Sequence, residues 1–143
     1  MVIDTTHFER CISTLERAYK LLLKAPPENI DYDMYRSASV KEFEIILEQS
    51  GKLLRKVLKP YFHSSKEVDK LYFKDLFRQA VLRSIMTDET CERWLQYRDY
   101  RNSTAHDYGA EFAEETLTLL PQFIADAKVL AIAIKEQNDA AKE

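Results

Sequence analysis

The sequence predicts an all-α protein, an antiparallel up-and-down bundle of about five helices. Three observations carry that prediction. Its 143 residues include two glycines and four prolines, too few for the turns of an all-β fold. Apolar residues recur at steps of three and four along most of the chain, and no alternating strand pattern competes. Three of the four prolines fall where those periodic stretches end, the exception being Pro121. At 45% apolar content, a single helical domain over residues 1–143 has enough material for a core.

Thr5 or Thr6 opens the first helix, with Glu9 three residues after Thr6 as in a capping box. Phe8, Ile12, Leu15, Tyr19 and Leu22 form its apolar stripe. Ala25-Pro26-Pro27 stops it, because a residue before proline is pushed out of the α region, and residues 26–33 read as a connection. A second helix runs from about Met34 to Leu58, with Val40, Phe43, Leu47, Leu54 and Val57 inward and Pro60 beyond its end. Gly51 inside it costs about 1 kcal/mol relative to alanine and points to close approach of another helix.

The third helix covers Lys66 to Arg83 and turns Phe73, Leu76, Phe77, Ala80 and Val81 inward. Thr87 or Asp88 caps the fourth, which carries Cys91, Trp94, Leu95, Arg98 and Arg101 on neighbouring faces. The last helix runs from about Glu111 to Gln137, kinked at Pro121, with a tail that frays.

Cys11 and Cys91 are too few for a disulfide framework and read as small buried hydrophobes in a reducing compartment. The longest aliphatic run, Val129 to Ile134, is too short to span a bilayer, so the expected location is the cytoplasm, without membrane contact. Three scattered histidines and two cysteines suggest no metal site, and no cofactor is expected. The net charge of −3 is unevenly spread: −3 over residues 1–50, +6 over 51–83 and −6 over 84–143. That split suits an acidic partner or backbone phosphate in the middle segment and is also compatible with self-association.

The segment from Arg101 to Tyr108 holds the groups best suited to chemistry. Arginine offers a fixed charge and a planar fork of donors for phosphate oxygens, and histidine transfers protons near neutral pH. Metal-free RNA cleavage needs a base for the 2′-hydroxyl, a cation for the charged phosphorane and an acid for the leaving oxygen. Arg101 can supply the cation and His106 the base or acid. Residues five apart on a straight helix point about 140° apart. The two therefore converge only if the fourth helix unwinds through Asn102, Ser103 and Thr104 ahead of Gly109. One histidine per chain is a shortage that a two-fold homodimer through this region would repair. Spacing alone leaves open the plainer arrangement, in which His106 caps the helix and Arg101 pairs with a surface carboxylate.

An arginine, a polar residue, three more and a histidine, here Arg101-Asn102 to His106, resemble the signature of HEPN domains. The longer form, ending in Tyr108, is similar to that of toxins in HEPN–MNT toxin–antitoxin pairs (the HepT type). Phe43-Glu44, Glu48 and Lys52 resemble the matching run of nucleotidyltransferase substrate-binding proteins, in the same superfamily. Arg78, Ala80 and Trp94 agree as well, so the likeness covers about residues 36 to 108. It departs at Gln79, where glutamate is common, and at Gly109-Ala110, in place of an acidic pair.

The resemblance implies a helical bundle that dimerises through the Arg101–Tyr108 region. It implies a minimal nucleotidyltransferase as partner and antitoxin, and RNA as substrate. Arg101 and His106 would be the ribonuclease residues, with Asn102 orienting the site. Tyr108 would be the residue that the partner silences by adding AMP. The alternative it implies is a non-catalytic subunit that presents substrate to the nucleotidyltransferase. Glu44, Glu48 and Lys52 share a helical stripe; with Arg98 they are candidates for a binding groove, or simply a solvated face. Trp94 reads as core or dimer interface before it reads as a base-stacking platform.

Overall fold

The computed structural model describes residues 2–103 and 110–142. Its helices are α1 (Thr6–Lys24), α2 (Ile30–Leu58), α3 (Ser65–Asp69), α4 (Phe73–Leu82), α5 (Asp88–Ser103) and α6 (Ala110–Lys142). A 3-10 turn, Lys59–Tyr61, follows α2. Among the described residues there is no strand, and the all-α bundle is borne out. α2 is the central post: α1, α4 and α6 pack along it, while α5 closes the far side against α4 and α6.

One apolar core joins them. Phe8 and Leu15 from α1 meet Phe43, Leu47 and Leu54 of α2, with Leu120, Phe123 and Ile134 of α6 closing over them. Phe43, Phe77, Trp94, Tyr97 and Phe123 form its aromatic centre, with edge-on contacts at ring-centroid separations such as 4.7 Å (Phe43–Phe123) and 5.5 Å (Trp94–Phe123). Trp94 is fully buried, so its core reading holds. Cys11 and Cys91 are buried as free thiols, and burial pushes both thiols above the ordinary cysteine range. By length and composition alone α6 could cross a membrane, but its apolar face supplies Leu120, Phe123, Ala127, Leu130 and Ile134 to this core.

Several boundaries differ from the sequence expectation, each for a local reason. α1 begins at Thr6 with Thr5 as its N-cap, within the expected start; the expected capping box is replaced by a bond from the Thr5 hydroxyl to Glu9 Oε2 at 2.8 Å. α2 starts at Ile30 instead of Met34. The Asn29 side chain accepts from the Asp31 N–H at 2.9 Å, and Asp31 and Asp33 complement the positive end of the helix dipole.

The single third helix expected over Lys66 to Arg83 is two helices, α3 and α4, which makes six among the described residues in place of five. Arg55 of α2 holds the break, donating to the carbonyls of Val68 (2.5 Å) and Leu71 (3.0 Å). Asp75 then accepts from the Tyr72 N–H at 3.1 Å and starts α4. α4 ends with Ser84 in the left-handed region (φ 59°) and the Ile85 N–H on the Ala80 carbonyl at 2.9 Å, a closure that usually recruits glycine.

The tail expected to fray after Gln137 is helical to Lys142. Nearly buried Asn138 explains it: its amide accepts from the Ile3 N–H (2.9 Å) and donates to the Ile3 carbonyl (2.8 Å), pinning the N-terminal segment. Pro121 lies inside α6 on its exposed side, where the missing N–H is least costly.

Candidate functional site

The site is built where the last turns of α5 pass the middle of α2. Thr87 starts α5 by accepting from the Thr90 N–H at 3.1 Å, and Cys91, Trp94 and Tyr97 anchor one face in the core. Arg98 and Arg101 continue that same stripe toward the end of the helix, with Asn102 at its edge. α5 remains helical through Asn102 and Ser103, so the expected unwinding does not begin at Asn102. Thr104 to Gly109, with His106 and Tyr108, lies outside the described residues.

Arg101 sits in the last turn of α5, where a cation is favoured by the helix dipole. Its guanidinium meets Glu44 Oε2 of α2 at 3.1 Å. Both side chains are partly buried, Glu44 at 18% exposure and Arg101 at 27%, so this pair is less screened than a surface one. The plainer arrangement left open by spacing is thus met only in part: Arg101 pairs with a carboxylate, but a partly buried one in place of a surface one.

The other groove candidates divide. Glu48 and Lys52 pair with each other at 3.4 Å along α2, both more than 60% exposed, as a solvated helical pair would. Arg98 instead lies over the Phe73 ring, 5.0 Å from its centroid, and lines a cleft with Asn102 between the start of α4 and the last turns of α5. Phe73 is held from behind by Phe77 at 4.5 Å and by Gly51, where an added Cβ would stand 3.3 Å from the ring. The close approach that Gly51 signals in the sequence is therefore that of Phe73, which the sequence reading takes only as core. Tyr72 at the cleft rim is missed by sequence reasoning, because a lone exposed aromatic has no periodicity.

Two clamps hold the elements on either side of residues 104–109. The Tyr100 hydroxyl and Thr116 Oγ1 lie 3.3 Å apart and tie the end of α5 to α6. The Tyr32 hydroxyl donates to Glu114 at 2.8 Å and Arg36 reaches the same carboxylate at 3.3 Å, tying the start of α2 to α6. Donation to Glu114 raises the Tyr32 phenol above its ordinary range, and burial does the same for Tyr100. Neither clamp is legible in the sequence, since each joins residues at least 16 positions apart.

The family model described as nucleotidyltransferase substrate binding protein like matches residues 4–136. The chain belongs to that family. Similar to it is the Haemophilus influenzae protein named "Probable ribonuclease HepT", 26% identical over 110 residues, which cover 77% of this chain and 74% of the relative. Among solved structures, Haemophilus influenzae HI0074, described as revealing the fold of a substrate binding domain of a nucleotidyltransferase, aligns with a TM-score of 0.77. The two are 22% identical, over 92% of this chain and 99% of the other. A Thermus thermophilus protein of known crystal structure aligns at 0.67, with 21% identity over 89% and 98% of the two chains. The bundle is thus the fold of this family, and the resemblance read from Phe43-Glu44, Glu48, Lys52 and Arg101-Asn102 stands at the family level.

Proposed function

We propose that the protein is a metal-independent ribonuclease that acts as a homodimer and is neutralised by a nucleotidyltransferase partner. The observation that carries this reading is the position of Arg101. It stands at the end of a rigidly anchored helix, held by Glu44, immediately before the Asn102…His106-x-Tyr108 sequence. The relative named a probable ribonuclease supports the same activity here. In this reading Arg101 stabilises the charged phosphorane, His106 moves the proton and Asn102 orients the phosphate. Two chains meeting through the Arg101–Tyr108 region supply two histidines to one cleft. AMP added to Tyr108 by the partner places a phosphate and a bulky base at the mouth, blocking RNA by charge and by volume. The protein works in the cytoplasm, where its thiols stay reduced.

The test compares wild type with His106→Ala for RNA cleavage and growth arrest. Wild-type protein freed of any AMP is expected to cleave RNA without added metal and His106→Ala is not. An AMP-free wild type that neither cleaves RNA nor slows growth sinks the proposal.

The family description favours one other reading, a non-catalytic subunit that presents substrate to the transferase. Mass spectrometry after incubation with transferase and ATP separates the two. An adduct on Tyr108 that abolishes an activity marks the ribonuclease; a tight complex with no adduct marks the subunit.

A further inference from the structure

We propose that the cleft between α4 and α5 is a nucleobase subsite, which stacks one base of single-stranded RNA beside the phosphate held at Arg101. It rests on the RNA-handling reading above and adds where the flanking nucleotide goes. The cleft has a volume of about 440 Å³, within the roughly 300–1,000 Å³ range of small-ligand sites. Its walls offer flat faces. Tyr72 stands at the rim with 80% of its surface exposed, among the most exposed large hydrophobic side chains of the described residues. Phe73 is backed by Phe77, and the Arg98 guanidinium lies over its ring, so the outer face of that planar cation is the next available stacking surface.

Charge argues for a base over a run of phosphates. Lys74, Arg78 and Arg98 line the cleft, but so do Glu92 and Asp99. Arg78 is already engaged, with Glu92 at 2.5 Å and Asp88 at 3.7 Å. Such walls do not make a continuous cationic track, whereas acidic and amide side chains are the groups that read base edges. Position links the cleft to the site. Asn102, at its end, directly follows Arg101, so a strand whose phosphate lies at Arg101 has its neighbouring nucleotide at the cleft mouth. Tyr72 precedes α4 and takes part in its helix-starting contact through the backbone N–H, while its ring stays largely exposed.

Anisotropy of an uncleavable 2′-O-methyl oligoribonucleotide tests the subsite, with cleavage of ordinary RNA followed on the same preparations. Tyr72→Ala is expected to weaken binding by about 5- to 150-fold, the loss of one base–aromatic stack. Tyr72→Phe keeps the ring and is expected to bind like wild type. Arg98→Lys keeps the charge but not the plane and is expected to fall between them. If wild type cleaves RNA while Tyr72→Ala binds and cleaves at unchanged rates and positions, the subsite is wrong and the ribonuclease reading survives. Tyr72-dependent binding without cleavage by AMP-free wild type keeps the subsite and removes the nuclease. Absence of oligonucleotide binding by wild type removes the subsite. So does a Tyr72→Ala protein that changes mass in light scattering while binding RNA normally, since the rim is then an assembly contact.

Discussion

Arg93 and Arg101 lie two turns apart on α5, and their side chains are almost equally exposed, at 29% and 27%. What separates them is the carboxylate each one meets. Arg93 grips Asp126 with two hydrogen bonds of 2.9 Å, and Asp126 is 4% exposed. The Tyr97 hydroxyl (2.6 Å) and the Gln122 amide (3.2 Å) saturate the same carboxylate. Burial and the donation from Tyr97 push that phenol well above the ordinary tyrosine range, so it stays a donor at any physiological pH. Glu44, by contrast, is 18% exposed. The first arginine is committed to the fold; the second is held in place at the edge of solvent, where a phosphate can reach it. On the proposed reading, the setting of the counter-ion separates a structural arginine from a functional one where exposure does not.

Breaking the first pair should cost the most. Asp126→Ala leaves a guanidinium and a phenol that have lost a shared acceptor, and is expected to destabilise by about 3 kcal/mol in urea denaturation. A loss below about 1 kcal/mol would erase the contrast, because Asp126 would then be no more structural than Glu44. Arg101→Ala should show the reverse profile. If the proposed ribonuclease reading holds, losing a cation that faces developing charge is expected to cost about a hundredfold or more in RNA cleavage rate. Stability is expected to change by no more than about 1 kcal/mol, since the guanidinium is already in reach of water. A variant that unfolds but cleaves normally when folded would move Arg101 into the same class as Arg93.

Much of this contrast could be read from the sequence, but only on one side. The helical period placed Leu15, Phe43 and Phe77 in the core, and the Arg101-to-Tyr108 spacing marked the motif. Gly51 announced a close neighbour without saying which. Arg93–Asp126 and Arg101–Glu44 could not be read, because each joins helices whose relative rotation is set by packing of the whole core. The break between α3 and α4 stayed hidden for the same reason: Arg55 ends α3 from another helix, and nothing in Lys70-Leu71-Tyr72 is a breaker. The end of α4 did not hide in this way: the sequence places it at Arg83, beside the observed Leu82, although Ser84 builds the stop without the glycine that normally signals it.

Glu44→Gln sharpens the comparison from the carboxylate side. It keeps volume and one acceptor oxygen but removes the negative charge beside the phosphate position. RNA binding should tighten a few-fold as repulsion is relieved, while the cleavage rate at saturation falls about tenfold because Arg101 is less firmly directed. A split between affinity and rate marks Glu44 as a positioning residue. Parallel losses in both would instead mean that the α2–α5 contact had come apart, a result visible as lower stability in the same preparation.

The smallest effect belongs to the pairs that join α1 to α6, Glu9–Lys135 and Glu16–Lys128. Hydrogen bonds from the two lysines hold both carboxyls below the ordinary glutamate value of 4.5. A carboxyl whose folded value is depressed adds stability above its unfolded value, and that stability is lost as the pH falls through the folded one. The contribution is therefore present at pH 7 and fades below about 4.5. Both glutamates are about one-third exposed, so solvent and salt screen the pairs and each adds less than about 1 kcal/mol. A Lys128→Ala, Lys135→Ala double variant should lose about 1 kcal/mol or less at pH 7 by urea midpoint, and the gap to wild type should shrink as the pH falls below about 4.5. A gap that persists in acid would mean that the lysine stems stabilise by packing on α1. A gap above about 2 kcal/mol at pH 7 would mean that an exposed pair can match a buried one. The counter-ion's setting would then no longer separate Arg93 from Arg101.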